Sequence, residues 1–164
     1  RELAVSQHGI PIEVSLEELQ PTAPFDLITL WHVLEHLHAP AETLSRLHGL
    51  ASAKAILAIA VPDLESWDAH HYGTGWAALD VPRHLSHFRR QDINRLLQAR
   101  GFRVLANRRM WFDAPYVCML SERYHGAGTL TSLIKGASLG LVSNIASMTS
   151  SRPTSSTLYL AQKA

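Results

Sequence analysis

The sequence predicts an α/β fold, and three observations predict it. Phe25 to Trp31 is a short apolar run with no polar alternation, the pattern of a strand buried on both faces. Ala41 to Leu50 then carries helical spacing, with Leu44, Leu47 and Leu50 on one face. Ala53 to Val61 is a second buried strand, so the three segments form a strand–helix–strand unit. His32, Glu35 and His36 crowd the exit of the first strand, where an open α/β sheet places its ligand crevice.

Composition narrows the class. A chain of 164 residues, 46% hydrophobic and 18% charged, is long enough for one domain with a real core. A net charge of +1 gives no support to nucleic-acid binding over the whole surface. The single cysteine, Cys118, excludes an intrachain disulfide and a cysteine-cluster metal site, and its apolar neighbours mark it as a small buried hydrophobe. No apolar segment near Arg1 has a signal-peptide pattern, so a cytoplasmic location is the expectation. Ten histidines are the unusual feature.

The remaining elements follow in order. Arg1 to His8 reads as the tail of a helix stopped at Gly9, and Ile10 to Val14 as a short strand. Ser15 to Glu18 has the spacing of a capping box, and Pro21 and Pro24 end that turn. After the second strand ends at Pro62-Asp63, residues 64–88 lack clean periodicity and are expected to form a long loop acting as a lid. Arg90 to Arg100 is a helix with Ile93, Leu96 and Leu97 inward and Gly101 at its stop. Phe102 to Met110 and Thr157 to Gln162 are strands. Residues 114–151 form a helical insertion, one helix or a broken pair, with Gly136 and Gly140 as kinks. Its apolar spacing, Leu130, Leu133, Ile134, Ala137, Leu141, Ile145 and Met148, is expected to pack on its own domain. With Lys135 as the only cation among them, a membrane-surface role is weakly supported and no stable membrane insertion is expected.

Three phrases in order, FDLITLWHVLEHLHAP, AILAIAVPD and DVPRHLSHFRRQDINRLLQARGFRV, resemble class I S-adenosylmethionine-dependent methyltransferases of the small-molecule group. The resemblance runs from about Gly9 to the end. It implies the C-terminal portion of a Rossmann-like sheet, mostly parallel with an antiparallel C-terminal strand. It places the residues around His36 after the family's fourth strand and Val61-Pro62-Asp63 after its fifth, in a full order 3-2-1-4-5-7-6. The family's Gly-rich turn and its ribose-binding acid have no counterpart in this sequence. Residues 1–164 are therefore expected to be a single partial domain, inactive alone. The strand at Leu27–Trp31 should be left with an open edge that a second copy, as a homodimer, or a rearranged segment would cover.

The resemblance implies site residues as well. Trp31 and His32 border the cofactor, S-adenosylmethionine, as do Ser15 and Leu16, although a helix cap explains Ser15 equally well. Glu35, His36 and His87 are expected to converge as the catalytic set. Arg83, His84, Trp67 and Trp76 are expected to contact the small-molecule acceptor. Structural alternatives stand beside these roles: His32, Glu35 and His36 can be read as capping and orienting the helix start after the strand, Arg83 as pairing with a carboxylate such as Asp80, and the tryptophans as packing. RNA and ubiquinone-pathway relatives hold a divalent metal with a Glu-x-x-Glu-His phrase here. This sequence has His32 where they have the first Glu, so a metal is the less favoured expectation. The rival functions are a non-enzymatic interaction module and a histidine-rich metal-binding protein.

Overall fold

The computed structural model describes residues 18–164 together with Gln7, Ile12, Ser15 and Leu16. The helix expected at Arg1–His8 and the strand at Ile10–Val14 lie, apart from Gln7 and Ile12, outside the described residues. Four strands make one sheet: β1 (Phe25–Trp31), β2 (Ala51–Pro62), β3 (Phe102–Arg109) and β4 (Ser156–Lys163), in the order β1-β2-β4-β3. β1 runs parallel to β2, with Ile28 opposite Leu57 and Leu30 opposite Ile59. β4 runs antiparallel to both β2 and β3. This is the mostly parallel sheet with an antiparallel last strand that the sequence led us to expect.

β2 lies between two partners, and its Leu57, Ile59 and Val61 form the centre of the core. Helix α1 (Pro40–Leu50) adds Leu44 and Leu47 to that core, with Leu50 only partly buried. Two further helices follow β2: α2 (Trp67–Tyr72) and α3 (Arg90–Ala99), the latter burying Ile93 and Leu97 beside Phe102. Gly101, at φ +80°, turns the chain from α3 into β3.

β1 departs from the expectation of burial on both faces. Leu27 is 60% and Trp31 53% exposed, while Ile28 and Leu30 pack against the core. The cause is the alternation of the strand: Leu27, Thr29 and Trp31 share one face of β1, which the described residues leave exposed, and β1 is also an edge strand among them. An apolar sequence keeps water off a strand only where neighbours exist to cover it.

Residues 64–88 are not a long open loop. They hold α2, capped by the Ser66 hydroxyl, which accepts from the Ala69 N–H at 3.1 Å, and short 3-10 turns at Gly73–Gly75 and Ala77–Leu79. The buried Asp68 carboxylate fixes this segment. It accepts the Trp76 indole N–H at 2.7 Å, the Ser143 hydroxyl at 2.7 Å and the Ser155 hydroxyl at 2.6 Å. Those donors come from the segment itself, from the helical insertion and from the start of β4.

The insertion is two antiparallel helices, α4 (Asp113–Tyr124) and α5 (Thr129–Thr149). The break falls at residues 125–128, where Gly126 has φ +86°. Gly136 and Gly140 are therefore not kinks. They let α5 approach α4: a Cβ on Gly136 would lie 2.5 Å from the Met119 Cα, and one on Gly140 would meet the Pro115 backbone. The face of α5 that packs on α4 is small, Ser132, Gly136, Gly140, Ser143 and Ser147. The large apolar residues expected to pack inward point the other way, with Leu130 72% and Met148 68% exposed.

Two glycine substitutions separate these roles. A methyl group added at Gly49, in α1, would meet nothing within 4 Å, so Gly49→Ala should stabilise by about 0.5–1 kcal/mol through helix propensity. Gly136→Ala gains the same propensity but drives a methyl into backbone, which should cost about 1–3 kcal/mol more than it gains. Urea denaturation of both variants checks the opposite signs.

Candidate functional site

The site grows from the exit of β1. The His32 N–H still pairs with the Ala60 carbonyl at 3.0 Å, as if the strand continued. The His32 backbone then turns to φ +50°, and the 3-10 turn Leu34–His36 begins, pinned by the fully buried Leu34. This turn buries Glu35 to 1% exposure and sends the His32 ring toward the first residue of α4.

There the ring lies between two carboxylates. Its Nδ1 is 3.3 Å from Glu35 Oε1 and its Nε2 is 3.4 Å from Asp113 Oδ2. Neither contact is a well-aligned hydrogen bond: both Glu35 oxygens and Asp113 Oδ2 are buried without one. Close polar contact with the two carboxylates, more than charge at a distance, carries the attraction. Asp113 first and Glu35 second raise the His32 pKa from the ordinary 6.5 to about 9, against the opposing effect of burial. Burial alone would push the Asp113 carboxyl up, but the His32 ring and the Ser156 hydroxyl outweigh it and hold the pKa below the ordinary carboxylate value.

The Glu35 main chain holds a third segment. Its carbonyl accepts the Leu85 N–H at 2.8 Å and the Ser86 N–H at 3.1 Å, which docks residues 80–88 onto the turn. His84 is thereby placed beside Glu35. A carbonyl can only accept, so the 2.8 Å contact from His84 Nδ1 to the Ala78 carbonyl puts the proton on Nδ1 and leaves an Nε2 lone pair. That Nε2 lies 4.0 Å from Glu35 Oε1 and 3.9 Å from Asp80 Oδ2. His36 donates from Nδ1 to the Arg83 carbonyl at 3.0 Å, and its ring meets the His84 ring edge-on with centroids 4.6 Å apart.

A cleft of about 380 Å³ opens beside this cluster. His32, Asp113, Asp80, Arg83 and His84 supply its polar side, and Tyr116, Val117, Leu120 and Tyr124 of α4 its apolar side. Pro62 and Ser156, at one end of β2 and β4, form its floor. It therefore lies at the C-terminal ends of the parallel strands. Glu35, His36 and His84 each offer an atom within 4.8 Å of the others, a spacing able to hold a metal ion.

The expected site residues divide. His32, Arg83 and His84 line the cleft, and Glu35 and His36 lie directly behind it. The set that converges contains His84 where His87 was expected. His87 donates from Nε2 to the Leu79 carbonyl at 2.7 Å, its ring lies 6.2 Å from that of His84, and it does not line the cleft. Arg83 forms the anticipated pair with Asp80, at 2.7 Å. Trp76 is buried on Asp68, and Trp67 stacks on His71 at 4.7 Å; neither reaches the cleft. Ser15 accepts the Glu18 N–H at 3.2 Å, Leu16 packs on the core, and Trp31 stands exposed at the edge of the sheet. Asp113, Tyr116 and Tyr124 were not anticipated. The only sequence signal for Asp113 is an acid in the first turn of a helix, which also suits the helix dipole.

The His32 shift gives a pH prediction. A histidine whose pKa is raised on folding contributes stability that is fully present below its ordinary 6.5 and is lost as pH rises through about 9. The melting temperature should therefore fall across that window, and His32→Asn should flatten the fall. Melting curves of both proteins across the window check this.

Comparison with known proteins adds the following. Residues 5–107 match the protein family described as a methyltransferase domain. No curated protein sequence matches the chain. Among solved structures, the [4+2]-cyclase SpnF superposes with a TM-score of 0.60 at 14% identity, over 99% of this chain and 60% of that one. An S-adenosylmethionine-dependent methyltransferase of Thermotoga maritima gives 0.59 at 11% identity, over 99% and 68%. The 1,6-didemethyltoxoflavin N1-methyltransferase of Burkholderia thailandensis, solved with its substrate and S-adenosylhomocysteine, gives 0.50 at 17% identity, over 91% and 48%. The chain thus spans between about half and two thirds of the length of these structures. At such identities the likeness is one of fold, and one of the three is named a cyclase.

Proposed function

Because the chain belongs to the methyltransferase-domain family, we propose that it forms the acceptor side of an enzyme that transfers a methyl group from S-adenosylmethionine to a small molecule. The observation that carries this reading is the His84 imidazole, held by its Nδ1 proton with a free Nε2 lone pair at the wall of a cleft at the strands' C-terminal ends. S-adenosylmethionine, when bound, supplies a methyl group made electrophilic by its sulfonium.

The exit of β1 fits one side of that cofactor. Trp31 and His32 stand exposed where β1 ends, and the cleft opens beside His32. In this reading they border the cofactor, with Ser15 and Leu16. The sequence contains no Gly-rich turn of the kind the family uses for the methionyl end, so these residues do not hold that end.

The remaining roles belong to the chain's own side chains. His84 Nε2 takes the acceptor's proton, and the Asp80 and Glu35 carboxylates, both about 4 Å away, favour the imidazolium that results. Arg83, exposed and paired with Asp80, stands at the mouth. Tyr116 and Tyr124 offer apolar faces to an acceptor. His32 is already charged at neutral pH, so its role is to hold α4 to the end of β1 rather than to accept a proton.

One observation favours a second reading. Glu35 carries two oxygens without hydrogen bonds and shares a metal-ion spacing with His36 and His84. Imidazole with carboxylate suits a borderline ion such as Zn²⁺ better than Mg²⁺. Such an ion would occupy the His84 lone pair, so the two readings exclude each other for His84. The edge of β1 that has no partner among the described residues is where further strands of the same domain, or a second copy, would pair.

Kinetics of the full-length protein test the first reading. His84→Ala should lower kcat about 10²–10⁴-fold, the usual worth of a positioned general base, with the cofactor's affinity unchanged. Unaltered turnover overturns the role. A zinc titration separates the second reading: stoichiometric uptake lost in His84→Ala supports it, and no specific uptake removes it.

A further inference from the structure

The helix α5 presents its large side chains to solvent along its whole length, from Leu130 through Leu141 and Ile145 to Met148. At a rise of about 1.5 Å per residue this is a stripe of roughly 30 Å. Soluble monomers rarely leave so long an apolar face uncovered. The stripe does not end at the helix. Asn144 donates to the Trp111 carbonyl at 2.8 Å, which ties the Trp111–Phe112 corner to α5, and Phe112 is 92% exposed.

Arginines surround that corner. The Arg109 guanidinium lies 5.8 Å over the Trp111 ring. Arg108 and Arg109 line a cleft of about 360 Å³ with Trp111 and Arg90, and Arg90 also lines a neighbouring cleft with Arg152. Cations outnumber acids here, Glu65 being the one acid among the residues that line the two clefts. From Arg123 to Ala164 there is no Asp or Glu; of the cations there, Lys135 pairs with Glu122 at 3.0 Å and Lys163 lies at the far end of β4, which leaves Arg152 beside these clefts.

We propose that the outer face of α5, continued by Trp111 and Phe112 and flanked by Arg108, Arg109 and Arg152, docks the protein on the surface of an anionic lipid bilayer. The charge pattern selects this occupant. In a two-fold contact each helix would meet its own copy, setting Arg108, Arg109 and Arg152 against like charges, with Glu65 the one acid among the residues lining the two clefts. A bilayer rich in anionic headgroups supplies the opposite sign and an apolar layer for the stripe. Aromatic side chains between an apolar face and cations match the boundary between acyl chains and headgroups. No helix among the described residues is long and apolar enough to cross a membrane, so α5 would lie along the surface.

Sedimentation of the full chain with vesicles tests this. The protein should pellet with vesicles of equimolar phosphatidylglycerol and phosphatidylcholine, remain in solution with phosphatidylcholine alone, and be released by added salt. R108Q/R109Q should weaken partitioning about 30-fold, at roughly 1 kcal/mol for each arginine near the surface. F112S/I145S should also weaken it, with an unchanged circular dichroism spectrum because both side chains are exposed. No binding to either vesicle, or equal binding to both, overturns the proposal. So does light scattering that shows a stable dimer broken by F112S/I145S, which would assign the face to a second copy.

Discussion

The burial of Glu35 at the end of β1 is the constraint on which the site depends. A carboxylate removed from water needs compensation, and none of its oxygens has a hydrogen bond. Compensation comes from the charge on His32, which Asp113 shares from the far side. The same residue's carbonyl takes two amides from residues 85 and 86. One residue thus brings together the exit of β1, the segment carrying His84 and the start of α4. The cleft is the space that these three leave between them.

Glu35 differs in kind from the buried Asp63 and Asp68. Asp68 accepts three neutral donors at 2.6–2.7 Å and needs nothing further. Asp63 accepts the Thr157 hydroxyl at 3.0 Å and the Glu65 N–H at 3.1 Å, and burial pushes its pKa up. These two acids are fasteners: Asp68 joins α2, α5 and β4, and Asp63 joins the end of β2 to β4. Glu35 has charges near it but no hydrogen-bond donors in place.

Much of the scaffold was legible because periodicity reports directly on burial where an element has neighbours on both sides. The apolar run of β2 and the spacing of Leu44 and Leu47, or of Ile93 and Leu97, gave their positions correctly. Legibility failed where the outcome depends on distant residues. The run in β1 resembles that of β2, but its exposure is decided by what packs on the face that carries Leu27 and Trp31. The stripe on α5 was visible, yet periodicity says only that Leu130, Leu141 and Met148 share a face. It does not say which face turns inward, and the Gly136 and Gly140 seam against α4 decides that. In PRHLSHF nothing local distinguishes His84 from His87. The Ala78 and Leu79 carbonyls, in a turn that was read as loop, make the distinction. Asp113 joins His32 across 81 residues of chain, beyond any motif spacing.

The central claim is that the cleft between the β1 exit, residues 80–88 and α4 receives the molecule acted on. A crystal structure of the full-length protein with S-adenosylhomocysteine tests it most directly. The predicted result is a homocysteine sulfur near Trp31 and His32, facing into a cleft that stays open beside His84. Sulfur directed away from His84, or a nucleoside filling the space between Asp80 and Tyr116, would contradict it.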